Sequence, residues 1–315
     1  MELRVLRYFL AVAREENISR AAEALHTAQP SLSRQLRELE KKLGKTLFLR
    51  GRRRITLTED GMLLRKRAEE IIDLVDKTTG ELTTGEGAVT GDVYIGAGES
   101  YAVRFLTSAA KRMQNLYPEV HFHLSSGDAI DVTEQLDKGL IDFGLLFHPV
   151  DISKYHSITI PAVDTWGVFM RRDDPLAKED SVSLRQLWDK PLIVSRQVHR
   201  LGRLENWFQQ APVPPNVVAT YSLAFNGSLM AEDGLGYMLC LDKIIQVGEG
   251  RDLCFRPLSP TMENAISVVW KKHQIFSKAA ETFLEVLREE LTEGKGEIGK
   301  GAKDSLLDVR EKKIR

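Results

Sequence analysis

Two groups of residues near the N-terminus have the types and spacing to do chemistry. In QPSLSRQLRELEKKLG, Gln29, Ser33 and Arg37 recur at i, i+4 and i+8, with Arg34 beside them. A glutamine can bond adenine at two points in a DNA major groove, and an arginine can do the same to guanine. A second group, Arg50, Arg52, Arg53 and Arg54, crowds the turn RGRRR. Alternation sends Arg52 and Arg54 to one side and Arg53 to the other, which suits backbone phosphate or a minor groove. Other chemistries are poorly served. GKGEIGKG at 294–301 has the spacing of a phosphate loop, but Gly301 stands where Ser or Thr is required and no strand precedes it. Gly96–Ala97–Gly98 lacks the third glycine of a dinucleotide fingerprint. His121 and His123 alternate on one strand face with no evident further ligand for a metal. No G-x-S-x-G elbow occurs. Cys240 and Cys254 can build neither a disulfide framework nor a four-thiolate zinc site. The expectation is a protein that is not an enzyme and holds no metal and no resident cofactor.

These residues need elements to present them. Leu6, Phe9, Leu10 and Ala13 recur at helical spacing, and Asn17 is placed to cap a second helix, ISRAAEALH. Pro30 suits the first turn of a third helix, which would bury Leu32, Leu36, Leu39 and Leu43 and end at Gly44. TLFLRGRRRITLTEDG then reads as two short strands around the basic turn. Residues 1–58 are thus a winged helix-turn-helix. Charge agrees: residues 1–60 carry 13 Lys or Arg against 8 Asp or Glu, a net of +5, while the whole chain stands at −1. A basic small domain on an acidic larger one fits nucleic-acid binding, because cations displace phosphate counterions.

The chain has 315 residues, 43% hydrophobic and 28% charged, enough for two or three globular domains and unlike a disordered or fibrous protein. No apolar run could span a membrane, and the charged start MELRVLRYFLAVAREE is no signal peptide, so the expected location is the cytoplasm. From Thr58, a possible cap, the pattern is helical again. Leu64, Ala68, Ile71, Val75, Thr78 and Leu82 step by 4, 3, 4, 3, 4, a coiled-coil seam expected to pair with a second copy. Residues 59–87 form this linker helix and a Gly- and Thr-rich hinge. Alternating strands and helices over 88–292 imply an α/β body on a doubly wound parallel sheet. It divides into lobe I (about 88–162 and 268–292) and lobe II (about 163–267) with a cleft between them. Residues 293–315 read as a charged, Gly-rich, disordered tail.

FLAVAREENISRAAEALHTAQPSLSRQLRELEKKLG and LFLRGRRRITLTEDG resemble the LysR-type transcriptional regulators. The shared positions include Ala21–Ala22, Gln29–Pro30, Ser33, Arg34, Leu39–Glu40, Leu43–Gly44, Leu47–Phe48 and the LTEDG turn. More loosely, GLIDFGLLF and DGLGYMLCL match segments of the family's effector domain, so the likeness runs from residue 1 to about 291. Ala28 departs from the Ser or Thr usual at the start of the recognition helix, leaving Thr27 as the candidate cap. The resemblance implies a two-lobed, periplasmic-binding-protein-like (type 2) effector domain. It also implies a dimer of dimers on double-stranded promoter DNA, a contact with RNA polymerase, and a small metabolite that tunes the complex. Pro30 and Ser31 join Gln29, Ser33, Arg34, Arg37 and the four wing arginines as candidate DNA contacts, and Leu64, Ala68, Ile71, Val75 and Leu82 are the candidate dimer seam.

In the family, effectors sit between the lobes at strand ends and helix starts. The matching positions here are Gly98, Glu99, Ser100 and Tyr101; Ser125, Ser126, Gly127 and Asp128; Phe147, His148 and Pro149; Ser195, Arg196 and Gln197; and Phe225 and Asn226. Free N–H groups, serine hydroxyls and Arg196 would suit an organic acid. Glu99 and Asp128, acidic where the family is often neutral, would instead cap helices, pair with Arg196 or meet an amine, so the effector's charge stays open. The competing reading is a two-domain metabolite-binding protein or enzyme with an incidental basic helix bundle.

Overall fold

The computed structural model describes residues 1–51, 54–83, 88–148, 151–196, 203–211, 213–248 and 250–292. They fall into two compact units that part between 85 and 86.

The first unit runs α1 (Leu3–Glu15), α2 (Ile18–Ala24), α3 (Gln29–Leu43), a hairpin of β1 (Phe48–Arg50) and β2 (Ile55–Leu57), and α4 (Glu59–Thr83). Asn17 caps α2, its side chain accepting from the backbone N–H groups of Ser19 and Arg20 at 2.9 and 3.1 Å. α3 begins after Ala28, not Thr27, and its N-cap residue makes no side-chain bond. Gly44 ends it at φ 64°, a conformation that costs glycine nothing. Phe9, Val12, Ala21, Leu32, Leu36, Leu39 and Leu47 fill the core. Leu43, expected inside, is exposed as the last helical residue. Thr58 caps α4: Gly61 N donates to its Oγ1 at 3.0 Å, while that hydroxyl donates to Thr46 O at 2.7 Å. Gly61 is required there, because a Cβ would lie 2.2 Å from the Leu47 carbonyl oxygen.

Only the first part of the expected α4 seam is covered by the chain's own core. At 3.6 residues per turn, Leu64, Ala68, Ile72 and Val75 share one side; Ala68 and Ile72 are buried and Leu64 packs against the same core. Ile71, Leu74 and Leu82 are exposed; Leu82 lies five whole turns beyond Leu64, on the same side of the helix but past the core. Leu64 and Ala68 therefore face the chain's own core, and Ile72 rather than Ile71 is buried.

The second unit runs β3 (Gly91–Ala97), α5 (Val103–Leu116), β4 (Val120–Ser126), α6 (Ala129–Lys138), β5 (Phe143–Phe147), β6 (Tyr155–Arg171), β7 (Val182–Ser183), β8 (Leu192–Ser195), α7 (Arg203–Gln210), β9 (Val217–Tyr221), α8 (Ala224–Glu232), β10 (Tyr237–Leu241), β11 (Leu253–Ser259), β12 (Glu263–Lys271) and α9 (278–292). The strand order is β4-β3-β5-β12-β6-β10-β8-β9, with β11 paired to β6 and β7. Each lobe keeps a parallel trio, β4-β3-β5 and β10-β8-β9. The sheet as a whole is mixed, not parallel throughout. The chain leaves lobe I along the 17-residue β6 and returns along β12, so these two run antiparallel, from Glu263 opposite Thr165 to Lys271 opposite Tyr155. β7, β10, β11 and the first half of β6 were not anticipated, and SLRQLWD holds only the 3-10 turn Leu184–Leu187. Each lobe has its own core, around Phe143 and Phe283 in lobe I and around Val168, Leu192 and Leu239 in lobe II.

Candidate functional site

On α3, Gln29, Pro30, Ser31, Arg34 and Arg37 are exposed. Ser33 is not; it is 8% exposed. At about 100° per residue it sits on the flank of the Leu32–Leu36 stripe, whereas Arg34 is turned to the middle of the open face. The expectation that Ser33 points away from the core is corrected by that angle. Arg34 Nε donates to Glu38 Oε1 at 2.9 Å, one turn on, and its side chain remains 79% exposed. Arg37 Nε donates to the Ser33 carbonyl at 3.3 Å. In the wing, Gly51 N donates to Arg54 O at 3.0 Å, and Arg54 Nη1 lies 3.6 Å from Glu16. The Arg50 side chain, Arg52 and Arg53 lie outside the described residues.

In the second unit a cavity of about 340 Å³ opens at the ends of β3, β5, β8 and β9, a size that fits a small metabolite. Of the candidate positions, Gly98, Glu99, Ser126, Gly127, Asp128, Phe147, His148, Ser195 and Arg196 line it. Ser100, Tyr101, Ser125, Phe225 and Asn226 do not. The Ser100 hydroxyl donates to buried Asp164 at 2.6 Å. Tyr101 turns outward and takes a hydrogen bond from Arg104. Ser125 Oγ lies within reach of the Ile95 carbonyl, at 3.3 Å. α8 starts at Ala224, so Tyr221, Ser222, Leu223 and Ala224 occupy the strand-end position that the sequence assigned to Phe225 and Asn226. Pro149 and Gln197 lie outside the described residues. Sequence reasoning missed Asp131, Trp166, Cys240 and Asn264 in the lining. Asp131 was legible as one helical turn beyond the Asp128 cap. Trp166 and Asn264 come from the crossing strands, whose course the sequence did not give away.

Several polar groups of the cavity are bonded within the chain. Glu99 Oε2, in lobe I, accepts from Ala224 N at the start of α8, in lobe II, at 2.6 Å. Asp128 Oδ1 accepts from Ile130 N and Asp131 N at 2.8 and 2.9 Å, and Asp131 Oδ2 accepts in return from Asp128 N at 3.2 Å, closing a capping box on α6. Arg196 Nη2, from lobe II, lies 4.0 Å from Asp128 and 3.9 Å from Asp131. His148 Nε2 lies 2.9 Å from Ser267 Oγ. Burial pushes the Cys240 thiol up to about 12 and the Tyr221 hydroxyl well above its ordinary value, so both are neutral and Cys240 is no nucleophile. No cluster of metal-ligating side chains occurs among the described residues.

Two family models cover these two units. The bacterial regulatory helix-turn-helix protein model of the lysR family matches residues 3–62, and the LysR substrate binding domain matches residues 86–292. The chain belongs to the LysR family of transcription regulators. It is 30% identical over 302 residues to the Hca operon transcriptional activator HcaR of Escherichia coli K12, covering 92% of this chain and 98% of that one. It is 27% identical to the regulator BudR of Raoultella terrigena, over 91% and 100% of the two chains. Its fold is shared with full-length CbnR solved in complex with its target DNA, at a TM-score of 0.71 and 21% identity over 92% of this chain and 100% of that one. The protein is therefore a DNA-binding transcription regulator, which removes the enzyme reading. No helix among the described residues is long and apolar enough to cross a membrane.

Proposed function

We propose that the protein reads promoter DNA with the open face of α3 and switches in response to a small molecule held between the lobes. Arg34 is the principal base or phosphate contact, with Gln29, Pro30, Ser31 and Arg37 around it. Arg50, Arg52, Arg53 and Arg54 hold the backbone or minor groove. The exposed apolar residues Ile71, Leu74 and Leu82 seat a second copy, and pairs of dimers form the tetramer that the family resemblance implies. The small molecule is an exchangeable effector rather than a resident cofactor. Its binding biases closure of the lobes, which changes the spacing of the DNA-binding units and the bend of the DNA. The protein works in the cytoplasm and meets RNA polymerase at the promoter. One observation supports this reading above the others: the same chain carries an exposed arginine on an uncapped helix and a metabolite-sized cavity at strand ends. Gel retardation of the chain's own upstream DNA, against excess unrelated DNA, tests the first half. Loss of the retarded band under that competitor would refute it. Identical footprints and bend angles with and without a cavity ligand would refute the second half.

A further inference from the structure

An acid entering the cavity would look for spare N–H groups or an unpaired cation. Three of the helix-start N–H groups are already engaged by the chain's own carboxylates, and the cation has carboxylates beside it. The start of α8 is taken by Glu99, at 2.6 Å from Ala224 N. The start of α6 is taken by Asp128, which accepts from two backbone N–H groups. Arg196 stands between Asp128 and Asp131. The charge balance of the described lining is three carboxylates against one guanidinium.

What remains unused is acceptor capacity and aromatic surface. Glu99 Oε1 meets no hydrogen-bond donor among the described residues, while Ala224 N holds the carboxylate in place through Oε2. Phe147, Trp166 and Tyr221 line the same cavity. Carboxylates beside aromatic rings attract an ammonium group by charge, by N–H donation and by the ring quadrupole. A carboxylate in that place would be repelled by Glu99 and Asp131, and the one guanidinium of the described lining, Arg196, stands 4.0 and 3.9 Å from two carboxylates of the chain itself.

We infer that the effector is a cation: an amine-bearing molecule with an apolar body, its ammonium group bonded to Glu99 Oε1. This rests on the reading of the cavity as the effector site. It also leaves Glu99 with two tasks, because the carboxylate that ties lobe I to α8 is the one that receives the ligand. A cationic ligand shares this tie instead of competing for it, and so favours the closed arrangement.

The test uses the full-length chain and probes matched in carbon skeleton. Benzylamine, 2-phenylethylamine and cyclohexylamine are compared with benzoate, phenylacetate and cyclohexanecarboxylate, with benzyl alcohol as the neutral member, by thermal denaturation and calorimetric titration to millimolar concentration. Amines should raise the unfolding midpoint with dose, and the acids should not. Glu99→Gln should bind the amines roughly tenfold more weakly, since glutamine still accepts from Ala224 N and keeps the fold while losing the charge. Asp131→Asn, farther from the lobe tie, should weaken them in the same direction. Acids shifting the midpoint where amines do not would overturn the inference, as would a null result from every amine or an unchanged affinity in Glu99→Gln. Ile244→Trp, which fills the cavity, separates this from the underlying reading. Binding of either charge that survives Ile244→Trp would mean that the cavity is not the site. Acid binding abolished by Ile244→Trp would leave the cavity in place and overturn only the charge.

Discussion

The start of α3 and the starts of α6 and α8 put one physical device to opposite uses. Each presents backbone N–H groups with no partner inside the helix and the positive end of a helix dipole. At α6 and α8 the chain fills that end itself, with Asp128 and Glu99. At α3 it does not: Ala28 carries no acceptor, and Pro30 removes one donor in the first turn. The neighbouring α2 and α4 are capped by Asn17 and Thr58, while α1, like α3, starts without a side-chain cap. On the proposed reading, the uncapped start of α3 and the exposed Arg34 meet DNA phosphate, and the cost in helix stability is recovered when DNA binds. The carboxylates that fill the starts of α6 and α8 occupy N–H groups an anion would otherwise use.

The largest expected effect lies at the open helix. Arg34→Ala should weaken binding to the specific operator by about 1–3 kcal/mol, measured by fluorescence anisotropy at fixed salt. The Glu38 pair does not compete strongly, because an exposed i,i+4 ion pair contributes only about 0.3–0.5 kcal/mol. Unchanged operator affinity would remove Arg34 from the interface. It would also break the contrast, since the open end would then face nothing.

How far these two regions could be read from the sequence differs for the same reason. The DNA-binding unit is built of short local segments, so periodicity and caps exposed it: Asn17, Pro30, Gly44 and Thr58 all punctuate helices where they stand. The error at Ser33 came from treating i+4 as the same face. Forty degrees of drift per step carries the residue onto the flank of the leucine stripe. The cavity is assembled from segments far apart in sequence. Glu99 and Ala224 are 125 residues apart, and no local pattern says that they meet. The glycine- and serine-rich strand ends were visible, but the lining from β6 and β12 was not. Those strands change neighbours halfway along, and β11, with Arg256 and Pro257, lacks the apolar run that marks a buried strand. In α4 the apolar positions were visible, but not how far along the helix the chain's own core would cover them.

Next in size is the cap on α6. Asp128→Ala removes the acceptor for two N–H groups and should lower the stability of the effector-binding unit by about 1 kcal/mol, seen as a lower unfolding midpoint. It also frees the start of α6 for an anion. Measurable benzoate binding in Asp128→Ala but not in the parent would sharpen the contrast between filled and open helix starts. No loss of stability would mean that the capping box seen here contributes nothing.

The reciprocal change is smaller. Ala28→Ser gives α3 the cap it lacks and should stabilise the DNA-binding unit by about 0.5–1 kcal/mol. Because the new hydroxyl takes an N–H that phosphate would use, operator affinity should stay level or fall. A gain in affinity with no gain in stability would show that the first turn of α3 is open for a reason other than phosphate.

The smallest effect concerns Asp164, the carboxylate near the cavity that meets no helix start. It is 2% exposed and is held by the Ser100 hydroxyl at 2.6 Å. Burial raises its pKa above the ordinary 3.8, with the charge of Asp242 adding to the shift and the Ser100 hydrogen bond opposing it. A carboxyl group whose pKa is raised by folding binds its proton more tightly in the folded chain. Its contribution to stability is therefore complete below pH 3.8 and is lost as pH climbs through the folded value. Asp164→Asn keeps an acceptor for Ser100 and removes the titration. The difference in unfolding midpoint between variant and parent should move in the variant's favour as pH rises from 3.8 towards neutrality. Taking the difference cancels every group that the two chains share. A difference that stays constant with pH would mean that Asp164 ionises as freely folded as unfolded, and burial without a helix start would then be no harder on a carboxylate than burial with one.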